Sequence, residues 1–233
     1  MKVAIMQPYL FPYIGYFQLI NAVDTFVIYD NIQFTKKGWI NRNRILVNGK
    51  DEYFTLPLKK DSDYLNIVER RLADNFTEEA TKLLRKLEGA YRKAPHFNEI
   101  FPLIKSIILN QDSNLFNYIL QSLQTICDYL YIKTKFIISS TLNIDHSLRG
   151  QQKVLALCNA AVAKAYVNPI GGTELYSKEI FKENNLELGF LKSLPVEYIQ
   201  FKNEFVPWLS IIDVLMFNPV EKVKNYLNYY TII

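Results

Sequence analysis

Residues 3–30 restrict the fold of this chain more than any other stretch. Val3-Ala-Ile-Met-Gln-Pro8 is a short apolar run that ends in a polar residue and a proline, and an aromatic loop with a second proline, Tyr9 to Tyr13, follows it. Gly15 opens a segment in which Ile14, Phe17, Leu19, Ile20 and Val23 recur at the mixed i+3 and i+4 spacing of a core-facing helix. Thr25-Phe-Val-Ile-Tyr-Asp30 is apolar without alternation, as expected of a strand covered on both faces in a parallel sheet. Strand, loop, helix and strand in this order make a right-handed βαβ unit. In open sheets of this kind ligands bind in the crevice beyond the carboxyl ends of the strands, so the elaborate first loop is a candidate site.

The rest of the chain extends that unit. Ile45-Leu-Val47 and Glu52-Tyr-Phe-Thr-Leu-Pro57 flank Asn48-Gly49, a strong hairpin signal. Three helical stripes follow: Thr77 to Tyr91, with Glu78 and Glu79 in its first turn; Phe97 to Leu109; and a third from Ser113 to Leu130. Strand signals return at Lys135 to Ser139, a helix spans Gln151 to Ala163, and another strand runs from Ala165 into Asn168-Pro-Ile-Gly-Gly172. Leu186 to Leu191 and Val196 to Gln200 read as further strands, with Pro207 and Pro219 at the first positions of two closing helices. The expectation is an α/β protein: a Rossmann-like parallel sheet with an inserted β-hairpin and a helical segment. It is read as one unit over residues 1–233, with residues 77–131 as a helical insertion packed beside the sheet.

Composition narrows the function classes. The net charge of +4, from 27 basic and 23 acidic residues, is too mild to require a polyanion, so nucleic acid is not the expected partner. Cys127 and Cys158 lie in apolar helical stripes and read as buried free thiols of a reducing compartment. With His96 and His146 far apart, a zinc cluster has almost nothing to be built from. No stretch reaches the length of a membrane span, and the strand-length opening segment is no signal peptide, so the expected location is cytoplasmic.

Three segments carry candidate ligand chemistry. In the first loop, Gln7, Pro8, Tyr9, Phe11, Tyr13, Gly15 and Tyr16 would bring backbone N–H groups and a helix N-terminus toward a phosphate, or else form a stiff turn with its aromatics in the core. The second runs from Gln33 to Arg44 and combines Lys36, Lys37 and Arg42 with Trp39, Asn41 and Asn43. Cations there suit phosphate, and a tryptophan face beside amides suits a base or a sugar ring. The third, after a strand, offers Asn168, the adjacent Gly171 and Gly172, and Tyr176, where a backbone can approach a ligand closely. Asp213 falls inside an apolar helix and must be paired or hydrogen-bonded, a structural or supporting position. His146 and Lys153 flank the turn at Gly150 as possible ligands, and no nucleophile, base and orienting acid form an obvious triad.

The chain resembles the WbqC-like family. The resemblance rests on Met6 to Ile20, Tyr29-Asp-Asn-Ile-Gln-Phe34, Gly38-Trp-Ile-Asn-Arg-Asn-Arg44, Gly171-Gly172 with Leu175-Tyr176, and Leu209-Ser-Ile-Ile-Asp213, and it covers nearly the whole chain. It implies a setting in bacterial surface-polysaccharide (O-antigen type) biosynthesis and the transfer of an acyl or aminoacyl group such as glycyl to a nucleotide-linked amino sugar. The alternative is a module that binds a nucleotide-sugar or glycan without chemistry. In the transferase reading the first loop and Gly171-Gly172 hold phosphates, Trp39 stacks on a ring, and Asp30, Lys36 and Arg42 are the catalytic candidates. Asp30 would position the amine or act as base, and the cations would neutralise a diphosphate or a developing acyl phosphate. The expected partners are small molecules, a nucleotide-sugar and an acyl donor, the donor activated by ATP or arriving already activated. The opening unit alone is similar to nucleotidylyltransferase-like folds, including pantoate-β-alanine ligase. Where those carry His-x-Gly-His, this chain has Tyr13-Ile14-Gly15-Tyr16, and phenols bring no positive charge.

Overall fold

The computed structural model describes residues 1–202 and 204–233. It is α/β, built on a six-stranded sheet of β1 (Lys2–Met6), β2 (Thr25–Ile28), β5 (Lys135–Ile138), β6 (Ala165–Pro169), β7 (Glu187–Ser193) and β8 (Tyr230–Ile232), with a separate two-stranded hairpin of β3 (Arg42–Val47) and β4 (Lys50–Thr55). The sheet order is β5-β2-β1-β6-β7-β8; all neighbours are parallel except the edge pair β7–β8. The Rossmann-like expectation therefore holds.

Strand burial follows the pleat. Val3, Ile5, Val27, Tyr166, Leu188 and Phe190 pack on one face, against Val154, Leu155 and Cys158 of α5 (Gly150–Ala160) and Phe181 of α6 (Lys178–Glu183). Their neighbours Ala4, Phe26, Ile28, Val167 and Leu191 pack on the other, in the larger core that includes α1 (Ile14–Asn21) and α7 (Ile211–Phe217). Because successive residues point to opposite faces, strands covered on both sides lose the apolar–polar alternation. Each fully buried Val, Leu, Ile or Phe contributes about 1.5–3 kcal/mol relative to exposure, and three of the four residues of β2, Phe26, Val27 and Ile28, are of this kind.

Between β2 and β5 the chain makes a long excursion through the hairpin and three helices, α2 (Phe76–Tyr91), α3 (Phe97–Ile108) and α4 (Leu115–Tyr129), close to their expected limits. Ala80, Leu83, Leu87 and Tyr91 form the inward stripe of α2, and the Asn114 side chain caps α4 by accepting from Asn117 N at 3.0 Å. Among the described residues no helix is long and apolar enough to cross a membrane. Cys127 and Cys158 are buried free thiols, and burial pushes the Cys158 thiol up to about 12.

Two expectations near the C-terminus are corrected. Val196–Gln200 is not a strand: Tyr198 and Gln200 turn their side chains onto Asp213, and Gln200 also bonds both backbone groups of Val206. A side-chain network holds the segment where a ladder was expected, and the last strand of the sheet is β8. Pro207 does not start a helix. The chain first turns through Trp208 at φ +61, and α7 begins only after Ser210, whose hydroxyl accepts from Ile212 N. Pro219 directly precedes α8 (Val220–Tyr226).

Asp213 is the joint of this region. It is fully buried, and its carboxylate accepts from Tyr91 of α2 at 2.7 Å, Tyr198 at 2.7 Å and Gln200 at 2.7 Å, while the Tyr91 hydroxyl also accepts from Leu46 N of the hairpin at 2.9 Å. Burial pushes the carboxyl above its usual range, and the three donors oppose that shift. Asp213→Ala leaves two buried phenols and an amide without their acceptor, so urea unfolding should show a loss of about 3 kcal/mol. A loss within about 0.5 kcal/mol, the range of surface substitutions, would mean that the joint carries no load.

Candidate functional site

The β1–β6 ladder consists of Lys2↔Ala165 and Val3↔Tyr166, whereas β1 and β2 stay paired as far as Met6↔Ile28. Beyond Val3 the two central strands part. The helix after β1 leads to β2 on one side and the helix after β5 leads to β6 on the other, so this is the switch point of the sheet. A cleft of about 920 Å³ opens there. Ile5, Met6, Gln7 and Tyr9 come to it from β1, Tyr29, Asn31 and Gln33 from the end of β2, and Asn168, Gly171, Gly172 and Tyr176 from the end of β6; Tyr64 and Asn66 form the rim beside Gln33. Gly172 packs so closely on the Asn168 amide that a Cβ there would collide with it.

The wall made by residues 146–154 is electropositive. Arg149, Gly150 and Val154 line the cleft at the start of α5. That terminus has no side-chain cap, and Gly150 turns at φ +52 with open space around it. Uncapped N–H groups, the helix dipole and an exposed guanidinium together make an anion cradle. Lys153, one turn into the helix, is buried; its ammonium donates to His146 O at 3.1 Å and lies 5.2 Å from the Tyr29 ring centroid. Burial first, and then the charge of Arg149, pull the Lys153 amine below its ordinary value. Burial raises the Tyr29 phenol, and Arg149 partly offsets this.

Under the cleft runs a chain of hydrogen-bonded polar groups. Asp30 Oδ1 lies 2.8 Å from Ser139 Oγ and 2.9 Å from the Ser140 N–H; Ser139 Oγ lies 2.7 Å from the Asn31 amide, and Asn31 lies 2.8 Å from His146 Nδ1. His146 Nε2 faces Leu142 O at 3.0 Å and must donate. Ser139 Oγ has one proton for its two acceptors, Asp30 Oδ1 and the Asn31 amide oxygen, so the carboxylate and the amide compete for it. Asp30 is fully buried, and its Oδ2 has no partner among the described residues.

Of the residues singled out in the sequence, Gln7, Tyr9, Gln33, Asn168, Gly171, Gly172 and Tyr176 meet at this cleft, with Asp30 beneath it. Others shape the first loop. Pro8 and Phe11 are buried, Tyr16 donates to Gln7 O at 2.8 Å, and Gly15 packs so tightly on the Tyr13 ring that a Cβ would collide. Phe11 takes φ +42, a costly backbone for an aromatic residue. Asn43 clamps it there, its amide donating to Leu10 O at 3.0 Å and Phe11 O at 2.8 Å, and Asn41 ties Leu56 O at 2.8 Å. Tyr13 and Trp39 line a separate, smaller pocket. Lys36 is exposed and pairs with Asp63 at 2.6 Å; Arg42 packs over Trp39 and Tyr53 and donates to Gly38 O and to Lys37 O, with Lys37 exposed. Asp213 belongs to the joint described above.

Sequence reasoning passed over Arg149, Asn31 and Tyr64, and named His146 and Lys153 as possible ligands beside the turn at Gly150. The available signal was Arg149-Gly150 immediately before an apolar-periodic segment that follows a strand, the place where an open helix N-terminus forms. The polar chain under the cleft gave no signal, because Asp30 and Ser139 stand 109 positions apart.

A family model described as the WbqC-like protein family matches residues 7–225. The chain is 32% identical over 230 residues, 98% of each chain, to "Uncharacterized protein Rv1507c" of Mycobacterium tuberculosis (strain ATCC 25618 / H37Rv). No solved structure matches it.

The lowered Lys153 amine has a defined pH signature. Between its folded value and the unfolded value of about 10.4, the folded chain binds fewer protons at this site than the unfolded one, so its contribution to stability grows as pH rises through that window. The unfolding free energy of wild type minus that of Lys153→Met, from urea titrations on the alkaline side of neutrality, should therefore increase with pH. A difference that stays level would show that Lys153 titrates as it does in water.

Proposed function

The chain belongs to the WbqC-like protein family, and from this premise we propose that it is an enzyme of bacterial surface-polysaccharide biosynthesis that transfers an acyl or aminoacyl group, such as glycyl, to a nucleotide-linked amino sugar. The setting comes from the resemblance; the observation that carries the reading is the switch-point cleft, where an uncapped helix start and Arg149 face a wall of amides and phenols. A volume of about 920 Å³ is in the range that holds a whole nucleotide-sugar. In this reading the diphosphate lies on the α5 N–H groups and Arg149, while Gln7, Gln33 and Asn168 supply hydrogen bonds to hydroxyls or a base edge. Lys36 and Arg42, which do not line the cleft, are left with supporting roles at its periphery.

The reaction forms a C–N bond between the sugar amine and the acyl carbonyl, breaks the bond from that carbonyl to its leaving group, and releases one amine proton. Asp30 and His146, the two ends of the hydrogen-bonded chain under the cleft, take up and pass on that proton in this reading. The acyl donor reaches the site either activated by ATP or already activated, for example as a thioester.

Calorimetry with UDP- and dTDP-linked amino sugars, followed by mass spectrometry after adding glycine with ATP or a glycyl thioester, tests the proposal. The expected result is saturable binding and a product heavier by one acyl group. Arg149→Ala should weaken nucleotide-sugar binding at least tenfold, about 1.4 kcal/mol, with the thermal midpoint unchanged. Binding without any new mass across all donors would leave a binding module and remove the transferase; absence of binding would remove the cleft assignment as well.

A further inference from the structure

The chain has two tryptophans, Trp39 and Trp208, and both line one small pocket. They are 38% and 60% exposed, high values for residues of this size. The pocket has a volume of about 280 Å³, and Tyr9, Tyr13 and Arg44 complete most of its wall. Tyr9 also lines the switch-point cleft, so the two spaces adjoin at that residue. A further hollow of about 290 Å³ shares Tyr13 and Trp208 and continues the pocket toward Val196 and Phe205.

Three distant segments are fastened together to form this place. Arg44 donates to Asp51 at 2.9 Å and to Trp208 O at 3.3 Å, and its guanidinium carbon lies 5.6 Å from the Trp39 ring centroid. Ser210 N donates to Arg44 O at 2.9 Å, Ser210 Oγ to Phe11 O at 2.8 Å, and Ile211 N to Pro12 O at 2.9 Å. First loop, hairpin and the approach to α7 are thus tied in one arrangement, with Trp208 held at φ +61. A bulky side chain kept largely in water on a costly backbone gains nothing for the core, and strain of this kind collects at functional positions.

The chemistry of the walls selects the occupant. Asp51 already compensates the charge of Arg44, so among the described residues lining the pocket there is no unpaired cation to hold a phosphate. Tyr13 meets Trp208 at an interplanar angle of 72°, which makes a corner and not the parallel slot that grips a flat base. A corner of aromatic faces with a guanidinium beside it fits a chair-shaped ring that has C–H faces to stack and hydroxyls to accept hydrogen bonds. Each terminal nitrogen of Arg44 makes one hydrogen bond, to Asp51 and to Trp208 O, and carries a second N–H that a ring hydroxyl can accept. We propose that this pocket is a pyranose subsite that takes an amino-sugar ring across Tyr9 from the nucleotide. Only the choice of an amino sugar rests on the proposed function; the subsite stands on the geometry.

Tryptophan fluorescence reads this pocket directly, since no tryptophan lies elsewhere in the chain. Titrating the intact protein with glucosamine or N-acetylglucosamine should give a saturable change in emission, and UDP alone should give none while still registering in calorimetry. Trp208→Ala should weaken the sugar at least tenfold, and the wild-type titration decides the matter should that variant not fold. Arg149→Ala should weaken UDP binding at least tenfold and leave the sugar signal intact, so that failure of the cleft assignment and failure of the subsite are read separately. If UDP-N-acetylglucosamine reproduces the emission change and competes with the free sugar, the ring belongs to the nucleotide-sugar; if both bind together, it belongs to a separate glycan. Either outcome supports the subsite. No saturable change with any of these sugars, or the same change with UDP or uridine alone, overturns it.

Discussion

The parting of β1 from β6 beyond Val3 and Tyr166 is the constraint on which the rest of this structure depends. Two parallel strands whose following connections leave in opposite directions cannot both be covered at their carboxyl ends, and the uncovered space becomes the cleft. Everything that borders it arrives as the end of an element: Gln7 after β1, Asn31 after β2, Asn168 before the Gly171-Gly172 turn, and Arg149 at the head of α5. Positions at element ends are held by the sheet and still reach the opening, so a rigid core and an accessible polar wall come from the same strands.

A second constraint is set by the strained first loop. Phe11 at φ +42 persists because its carbonyl accepts from both Asn43 and Ser210 while its ring is buried against Phe54. The hairpin that supplies Asn43 is in turn held by Leu46 N on the Tyr91 hydroxyl, and Tyr91 by Asp213. A line of hydrogen bonds therefore runs from the buried carboxylate of α7 to the loop carrying Tyr9 and Tyr13. This explains why amides at 41 and 43 and a carboxylate at 213 accompany the aromatic opening stretch: they fix the backbone that places the phenols.

Much of this was legible in the residues. The non-alternating runs at 3–6 and 25–28, the Asn48-Gly49 turn and the stripes of α2, α3 and α4 are local patterns, and local patterns report local structure. Seven of the residues singled out for ligand chemistry do meet in the cleft. The rest could not be read so far. Trp39 and Arg42 have the composition of a phosphate and ring site, yet Arg42 spends its donors on Gly38 O and Lys37 O, and Trp39 faces another pocket. Val196–Gln200 has the composition of a strand and lies outside the sheet because Tyr198 and Gln200 bind a carboxylate 15 and 13 positions away.

By itself the sequence determined that the chain builds a parallel sheet with helices on both faces, that a hairpin interrupts it, and that the first loop is stiff and aromatic. These follow from side-chain periodicity, from proline and glycine, and from the burial that each run of residues demands. Only the tertiary structure decided that the open helix start at Arg149 faces the cleft, that a chain of hydrogen bonds links Asp30 to His146, and that Trp39 and Trp208 line one pocket across 169 positions. Each of these depends on which strand neighbours which, and strand order is set by the sum of many distant contacts that leave no periodic mark along the chain.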